Sequence, residues 1–370
     1  MVLKVTSVVG ARPQFIKAAA VSHAIRNCGG RIAETMIRTG QHYDAALSDV
    51  FFVELGLPAP GRNLEVGSGT HAEQTGAMLR GLEACLTESR PDLVLVYGDT
   101  NSTLAAALAA AKLVIPVAHI EAGLRSGNKD MPEEINRIAA DTLSDLLFTG
   151  TDTARRNLER EGMGARACAV GDVMYDCVRL YRQFAPSPAD LGRRFGIAPH
   201  NYVLATIHRA GNTDDAKRLA AIVAGLDLVV RDTGMKVLLP LHPRTVAALT
   251  RSGGASDSSS LRVVKPVSYF DMIALESCAR LVVTDSGGVQ KEAFFHGAPC
   301  VTVRDETEWV ETVESGWNRL AAAEPNAILA ASRTMLAFDR ASPRPDFYGD
   351  GHAAEKIVAH LLEWREAARP

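Results

Sequence analysis

The stretch VVTDSGGVQKEAFFHG, Val282–Gly297, decides the fold. An apolar run meets Asp285, Ser286 and two glycines, and a helix begins at once. A strand that feeds a helix through so tight a turn belongs to a βα unit. The turn leaves backbone N–H groups free at a helix start, with the positive end of the helix dipole behind them, which is an anion-binding arrangement. The residues raise a functional question with the structural one: which anion the turn receives, and what becomes of it.

The same grammar recurs along the chain. LKVTSVV, LVLVYG, PVAHIE and LLFTG fall in the first half, and YVLATIH, KVLLPLH, LRVVKPV, LVVTDS and PCVTV in the second. Longer Ala-, Leu- and Arg-bearing segments of helical periodicity separate them. Strands that read as continuous apolar runs and alternate with helices predict parallel sheets covered on both faces. The pattern pauses between Tyr175 and His200, where YRQFAPSPADLGRRFGIAPH carries three prolines, and a new strand–helix series starts at Asn201. The expectation is α/β: two doubly wound Rossmann-like domains facing a cleft. The boundaries are 1–175 for the first domain, 176–200 for a linker, 201–350 for the second domain and 351–370 for a last helix crossing back to the first.

Right-handed crossovers put every strand-to-helix loop on one edge of its sheet. Polar and glycine residues close six of these strands: Gly10–Pro13, Gly98–Thr100, Glu121–Gly123, His208–Arg209, His242–Arg244 and Asp285–Gly288. Each alone fits a cap or a turn; together they predict one interdomain site. Ser286, Gly287 and Gly288 form the anion turn, and Glu292, one turn on, has the reach for a ribose diol. Arg12 and Lys17 flank the first helix, and with His242 they supply the cations a diphosphate requires. Asp99, Glu121 and Glu133 are candidate proton-transfer carboxylates. Asp99 equally fits an N-cap for TNSTLAAALAAA, and Glu133 a first-turn acid with Arg137 four residues on.

Bulk properties narrow the function classes. The 370 residues carry a formal net charge of −3, which gives no sign of a nucleic-acid or anionic-membrane partner. No apolar run approaches the ~20 residues of a membrane helix. The six cysteines are scattered without a metal-ligand spacing, as expected of reduced thiols in a cytoplasmic protein. Gly67–Ala72 formally matches GxGxxA, but the preceding NLEV is barely a strand, so the match reads as a loop and not as a dinucleotide fingerprint.

GARPQFIK, YGDTNSTLAAALAA, HIEAGLRS, MPEEINR, LHPR, DSGGVQKEA and YGDGHAAEKI, in this order over nearly the whole chain, resemble the non-hydrolysing UDP-N-acetylglucosamine 2-epimerases. The resemblance implies a glycosyltransferase-B type of fold, a homodimer, and UDP with a UDP-N-acetylated sugar as ligands, with neither metal nor NAD. It implies that UDP departs from C1 to leave a 2-acetamidoglucal and then adds back. It makes Asp99, Glu121 and Glu133 the acid/base carboxylates and His208 the group that stabilises the departing phosphate. Arg12, Lys17, His242, Ser286, Gly287, Gly288 and Glu292 become UDP-binding. The opening anion is then UDP's diphosphate.

Three spellings depart from GTRPE, GHRRE and TERPE of many members: GARPQ (Gly10–Gln14), IHRAGN (Ile207–Asn212) and TEWVE (Thr307–Glu311). They resemble a branch acting on UDP-2,3-diacetamido-2,3-dideoxyglucuronic acid, the alternative substrate. A glycosyltransferase and a catalytically silent UDP-sugar sensor are the rival readings from other classes. Three retained carboxylates speak against the sensor.

Overall fold

The computed structural model describes residues 2–40, 52, 54–241, 245–246 and 260–367. The chain divides into two compact units. The N-terminal unit is Met1–Leu180 together with Asp346–Pro370, and the C-terminal unit is Tyr181–Pro345.

Among the described residues the N-terminal unit has seven parallel strands: β1 (Leu3–Val9), β2 (Ile32–Arg38), β3 (Arg62–Asn63), β4 (Leu93–Tyr97), β5 (Val117–Ile120), β6 (Leu146–Thr149) and β7 (Ala167–Ala169). Their order across the sheet is β3-β2-β1-β4-β5-β6-β7. Helices α1 (Arg12–Arg26), α2 (His71–Ser89), α3 (Asn101–Lys112), α4 (Pro132–Leu143), α5 (Asp152–Arg160) and α6 (Val173–Tyr181) connect and follow them. Every residue of β4 and β5 is buried. That is why these strands read as apolar runs, broken in β5 only by His119, with helices on both faces and no solvated side to encode. Val8, Val94, Val96 and Val117 pack on Met78, Leu82 and Leu86 of α2 and on the alanine face of α3.

The C-terminal unit repeats the plan with β8 (Tyr202–Thr206), β9 (Lys236–Pro240), β10 (Leu261–Val264), β11 (Leu281–Thr284), β12 (Cys300–Thr302) and β13 (Asn318–Leu320). The order is β10-β9-β8-β11-β12-β13, all parallel. Its helices are α7 (Pro188–Phe195), α8 (Ala210–Thr213), α9 (Ala216–Thr233), α10 (Tyr269–Cys278), α11 (Gly287–His296), α12 (Val310–Glu314) and α13 (Pro325–Leu336). Successive strand residues serve opposite cores. Val203 and Ala205 join Ile222, Leu226 and Ile328, whereas Tyr202 and Leu204 join Leu191, Leu275 and Ala293.

The segment 176–200, read from the sequence as a linker, carries structure of its own. Helix α6 continues to Tyr181, and α7 is capped by Ser187 and packs into the C-terminal unit through Leu191 and Phe195. A last helix, α14 (Ala353–Ala367), packs against α1 in the N-terminal unit. Asp176 of α6 caps it, accepting the backbone N–H groups of Ala353 (3.1 Å) and Ala354 (2.7 Å). The GxGxxA match resolves into a helix start. Thr70 caps α2, and Glu73 accepts the Thr70 N–H in a capping box. Among the described residues no helix is long and apolar enough to cross a membrane.

Candidate active site

In each sheet the chain works outward from one strand and then returns to that strand's other side. The switch falls between β1 and β4 in the N-terminal unit and between β8 and β11 in the C-terminal unit. Helices on either side of such a point leave a crevice at the strands' carboxyl ends, where open α/β sheets bind ligands. Gly10 and Asp99 follow the first pair of strands, and His208 and Asp285 the second.

Two of the expected carboxylates in the N-terminal unit stand against cations. Asp99 pairs with Arg137, and Glu121 with the ammonium of Lys17. Asp99 is not the helix cap: Thr100 takes that place, its side chain accepting the Thr103 N–H, so the Asp99 carboxylate is left for other work. Glu121 sits at φ +71°, a left-handed conformation that an L-residue adopts at a cost, and Gly98 beside it is at φ +62°. A Cβ on Gly98 would stand 3.0 Å from Lys17 Nζ and 3.2 Å from Glu121 Oε2, so glycine makes room for the pair. Arg12 is exposed at the first position of α1.

Glu133 is exposed in the first turn of α4, and Arg137 reaches its neighbour instead. Arg137 Nη1 donates to Glu134 Oε2 at 2.5 Å. The buried Glu134 also accepts Ser126 N (3.0 Å), Ser126 Oγ (3.1 Å) and Gly127 N (3.0 Å). Burial works to raise its pKa, but these bonds and the Arg137 guanidinium outweigh it and hold the carboxyl below the usual range.

A further network lies beneath these turns. His119, fully buried in β5, has Nδ1 2.7 Å from Asp141 Oδ1 and Nε2 2.7 Å from the Gly98 carbonyl. Asp141 also accepts the Gly123 N–H (3.1 Å) and Arg125 Nη1 (2.7 Å). One carboxylate and one imidazole thereby tie together the loops that carry Asp99 and Glu121. Despite burial, the bonds and charges of His119 and Arg125 hold Asp141 below its ordinary pKa. Sequence reasoning missed this set. Its signal was a lone histidine in an otherwise apolar strand and an acid on the apolar face of INRIAADTL.

Gln14 explains one of the unusual spellings. Its Oε1 accepts Gly10 N (2.7 Å) and Ala11 N (3.1 Å), and its Nε2 donates to the Tyr97 carbonyl (2.8 Å) and Thr103 Oγ1 (3.0 Å). An amide can do both where an ionised carboxylate can only accept. The residue holds the first strand's loop to the fourth strand's end.

In the C-terminal unit the opening turn has the expected form. Ser286 caps α11, its side chain accepting the Val289 N–H, and Gly287 and Gly288 are the first two helical residues. A Cβ at Gly287 would stand 2.7 Å from Glu308 Oε1, and Glu308 is held at 2.9 Å by Arg304. TEWVE therefore packs against this turn, with Thr307 Oγ donating to Gln290 of α11 (2.8 Å). Glu292 is buried within α11.

Asp285, fully buried, accepts His208 N (3.1 Å), Arg209 N (3.1 Å) and Asn212 Nδ2 (2.9 Å), and its Oδ1 lies 3.2 Å from His208 Nδ1. Burial opposes the charge, yet the side-chain bond and charge of His208, with Asn212, hold the carboxyl below its usual range. The His208 side chain itself is 63% exposed. His242 and Arg244 lie outside the described residues.

Comparison with known proteins supplies the family. The chain matches the UDP-N-acetylglucosamine 2-epimerase family over residues 25–362. It belongs to that family. A UDP-2,3-diacetamido-2,3-dideoxy-D-glucuronate 2-epimerase of Pseudomonas aeruginosa is 48% identical, over 98% of this chain and 100% of the relative. A UDP-N-acetylglucosamine 2-epimerase of Methanocaldococcus jannaschii is 39% identical over 97% and 99%. The crystal structure of the M. jannaschii epimerase with UDP-GlcNAc and UDP superposes with a TM-score of 0.90 at 39% identity, covering 98% of this chain and 100% of that one. That of the Neisseria meningitidis epimerase bound to UDP-GlcNAc gives 0.89 at 27% identity, over 98% and 100%. The fold is the two-domain α/β arrangement of the glycosyltransferase-B type that these epimerases share.

Proposed function

We propose that this protein is a non-hydrolysing UDP-N-acetylglucosamine 2-epimerase that interconverts UDP-GlcNAc and UDP-ManNAc. The observation that carries the reading is the pairing of two chemistries at two switch points. Cation-paired carboxylates, Asp99 and Glu121, stand at one sheet edge, and a Ser-Gly-Gly helix start beside a histidine stands at the other.

The C2 proton of a pyranose is not next to a carbonyl, so removing it alone gives no stabilised anion. Breaking C1–O first builds positive character at C1 and acidifies C2–H. The C1–O electron pair leaves with UDP, a carboxylate takes the C2 proton, and the C2–H pair becomes the C1=C2 bond of the 2-acetamidoglucal. A proton delivered to C2 on the opposite face and return of UDP to C1 complete a redox-neutral cycle. Asp99, Glu121 and Glu133 are the acid/base residues of this proposal, and His208 the donor that stabilises the departing phosphate. Arg12, Lys17, His242, Ser286, Gly287, Gly288 and Glu292 bind UDP. Preorganised donors at a developing phosphate charge act more strongly than water does, because they need not reorganise.

The 48% identity to the diacetamido-glucuronate epimerase favours a second reading, the same chemistry on that sugar. Gln14 and Thr307 weigh little in this choice, since both are occupied in holding the scaffold. A homodimer in the cytoplasm fits the family and the scattered spacing of the six cysteines.

Proton NMR in D₂O tests the reading. With UDP-GlcNAc, UDP-ManNAc carrying deuterium at C2 appears without net UDP release. Inertness toward UDP-GlcNAc with turnover of the diacetamido-uronate transfers the assignment to the second sugar. Inertness toward both removes the epimerase reading.

A further inference from the structure

His119 is fully buried, and both of its ring nitrogens meet oxygen at 2.7 Å: Nδ1 the Asp141 carboxylate, Nε2 the Gly98 carbonyl. A neutral imidazole has one N–H and one lone pair. A backbone carbonyl has no proton to give, and a lone pair facing it at that distance would repel it. Nε2 therefore carries a proton and donates it to Gly98. The state of Nδ1 depends on Asp141. Oδ2 of Asp141 accepts the Gly123 N–H (3.1 Å) and Arg125 Nη1 (2.7 Å), two bonds that favour an ionised carboxylate. An ionised carboxylate can only accept, so Nδ1 donates as well.

We infer that His119 is a buried imidazolium and a positioning residue for Asp99. Its place in the reaction rests on the UDP-sugar reading above and deepens it, whereas its charge stands apart from that reading. The charges around the ring balance only when the ring itself is charged. Arg125 gives Nε and Nη2 to Glu161 (2.8 and 2.6 Å), so its guanidinium is already matched. Asp141 and Glu161 against Arg125 leave one negative charge over, at a carboxylate with no exposure. A buried carboxylate left without a cation is costly, and the imidazolium supplies the cation.

The two turns that this ring joins need an anchor. Gly98 (φ +62°), Glu121 (φ +71°) and Gly123 (φ +82°) are all left-handed, and a glycine left to itself visits other conformations as readily. The imidazolium holds the Gly98 carbonyl, whose peptide plane leads into Asp99. Asn136 Nδ2 donates to the next carbonyl, that of Asp99, at 2.9 Å. The peptides on both sides of Asp99 are thus held, while Arg137 meets its carboxylate. Hydrogen bonds from charged donors are roughly twice as strong as neutral ones, so a neutral ring would grip the Gly98 plane less firmly. His119 acts through this plane and not on the reacting atoms.

The charge is read without turnover. The full-length protein is labelled with ¹⁵N at histidine, and the ring nitrogens are observed by NMR at neutral pH, His119 being assigned by its loss in His119→Gln. The expected result is a ring with both nitrogens protonated and two slowly exchanging N–H protons. In Asp141→Asn, which removes the anion, one ring nitrogen should lose its proton. The role is read by kinetics on the same proteins. A small misplacement of Asp99 should lower kcat roughly 10²-fold in His119→Gln and in Asp141→Asn, with KM and UDP affinity near wild type. A ring nitrogen without a proton in the wild type overturns the imidazolium. An unchanged kcat in Asp141→Asn overturns the positioning role, and so does a loss of UDP affinity that matches the loss of kcat, since that would be a merely structural effect. A wild type that turns over no UDP-sugar overturns the epimerase reading and the positioning role with it, while the NMR result still decides the charge.

Discussion

At the N-terminal edge the acids stand at the ends of their strands with cations brought to them: Lys17 from α1 to Glu121, and Arg137 from α4 to Asp99. At the C-terminal edge the acid lies underneath. Asp285 is fully buried and spends its oxygens on the His208–Asn212 turn, so the groups presented outward are an imidazole and a helix start. On the proposed reading the same fold, with its switch point in the same place, supplies proton acceptors in one unit and an anion-binding surface in the other. The parallel sheet fixes where a site lies, and the sign of the charge left outermost fixes what it does.

The largest expected effect tests the acid side of this contrast. Asp99→Asn removes a positioned carboxylate but keeps its shape, and it leaves the Ser-Gly-Gly turn of the C-terminal unit unaltered in sequence. Turnover should fall roughly 10²–10⁴-fold, while UDP affinity, read by calorimetry, stays near wild type. Equal losses in both would mean that Asp99 belongs to the binding surface, and the division of labour between the edges would collapse.

The second effect concerns how the two units are closed. The C-terminal unit is one continuous stretch, whereas the N-terminal unit needs residues from 346 onward, and Asp176 clasps that return by capping α14. Burial, aided by the nearby Asp172 charge, pushes the Asp176 carboxyl up to about 6, from an ordinary value near 3.9. The folded clasp therefore holds its proton more tightly than the open chain does. Its extra stability is complete below about pH 4 and is lost as pH rises through about 6. Hydrogen-exchange protection at the start of α14, corrected for intrinsic rates, should drop about 50-fold between pH 4 and pH 7 in the wild type. The drop should be absent in Asp176→Asn. An unchanged profile in the wild type would show that the carboxyl is not the clasp's pH-dependent element.

Much of this was legible in the sequence, for a simple reason. Strands buried on both faces are apolar along most of their length, so β4, β5, β8 and β11 announced themselves, and parallel topology then placed their last residues at a common edge. What escaped depends on rotation and on distant partners. Glu133 and Glu134 are neighbours in one helical turn, and the ~100° between them decides which is buried against Arg137. Asp99 and Thr100 are equally plausible caps on paper, and only the backbone's exit from β4 selects Thr100. The His119–Asp141–Arg125 network joins residues up to 22 apart in sequence, which no local pattern encodes. The break between units falls within α6, where helical periodicity runs on without a signal.

The smallest effect bears on the histidine of the C-terminal edge. Asp285 gathers two backbone N–H groups, the Asn212 amide and His208 Nδ1 around one carboxylate. An asparagine there keeps the volume but offers one acceptor oxygen, and its own N–H₂ faces donors. The turn loses at least one charge-assisted bond, and His208 loses the anion that orients its ring. At about 1.5 kcal/mol for such a bond, Asp285→Asn should lower kcat roughly tenfold. The double-mutant cycle with His208→Ala decides the route. If Asp285 acts through His208, adding Asp285→Asn to His208→Ala costs no further kcat. A further tenfold loss in that background would give Asp285 a role independent of the imidazole. The two edges would then differ less than their burial suggests, because each would bring an acid to bear on the substrate.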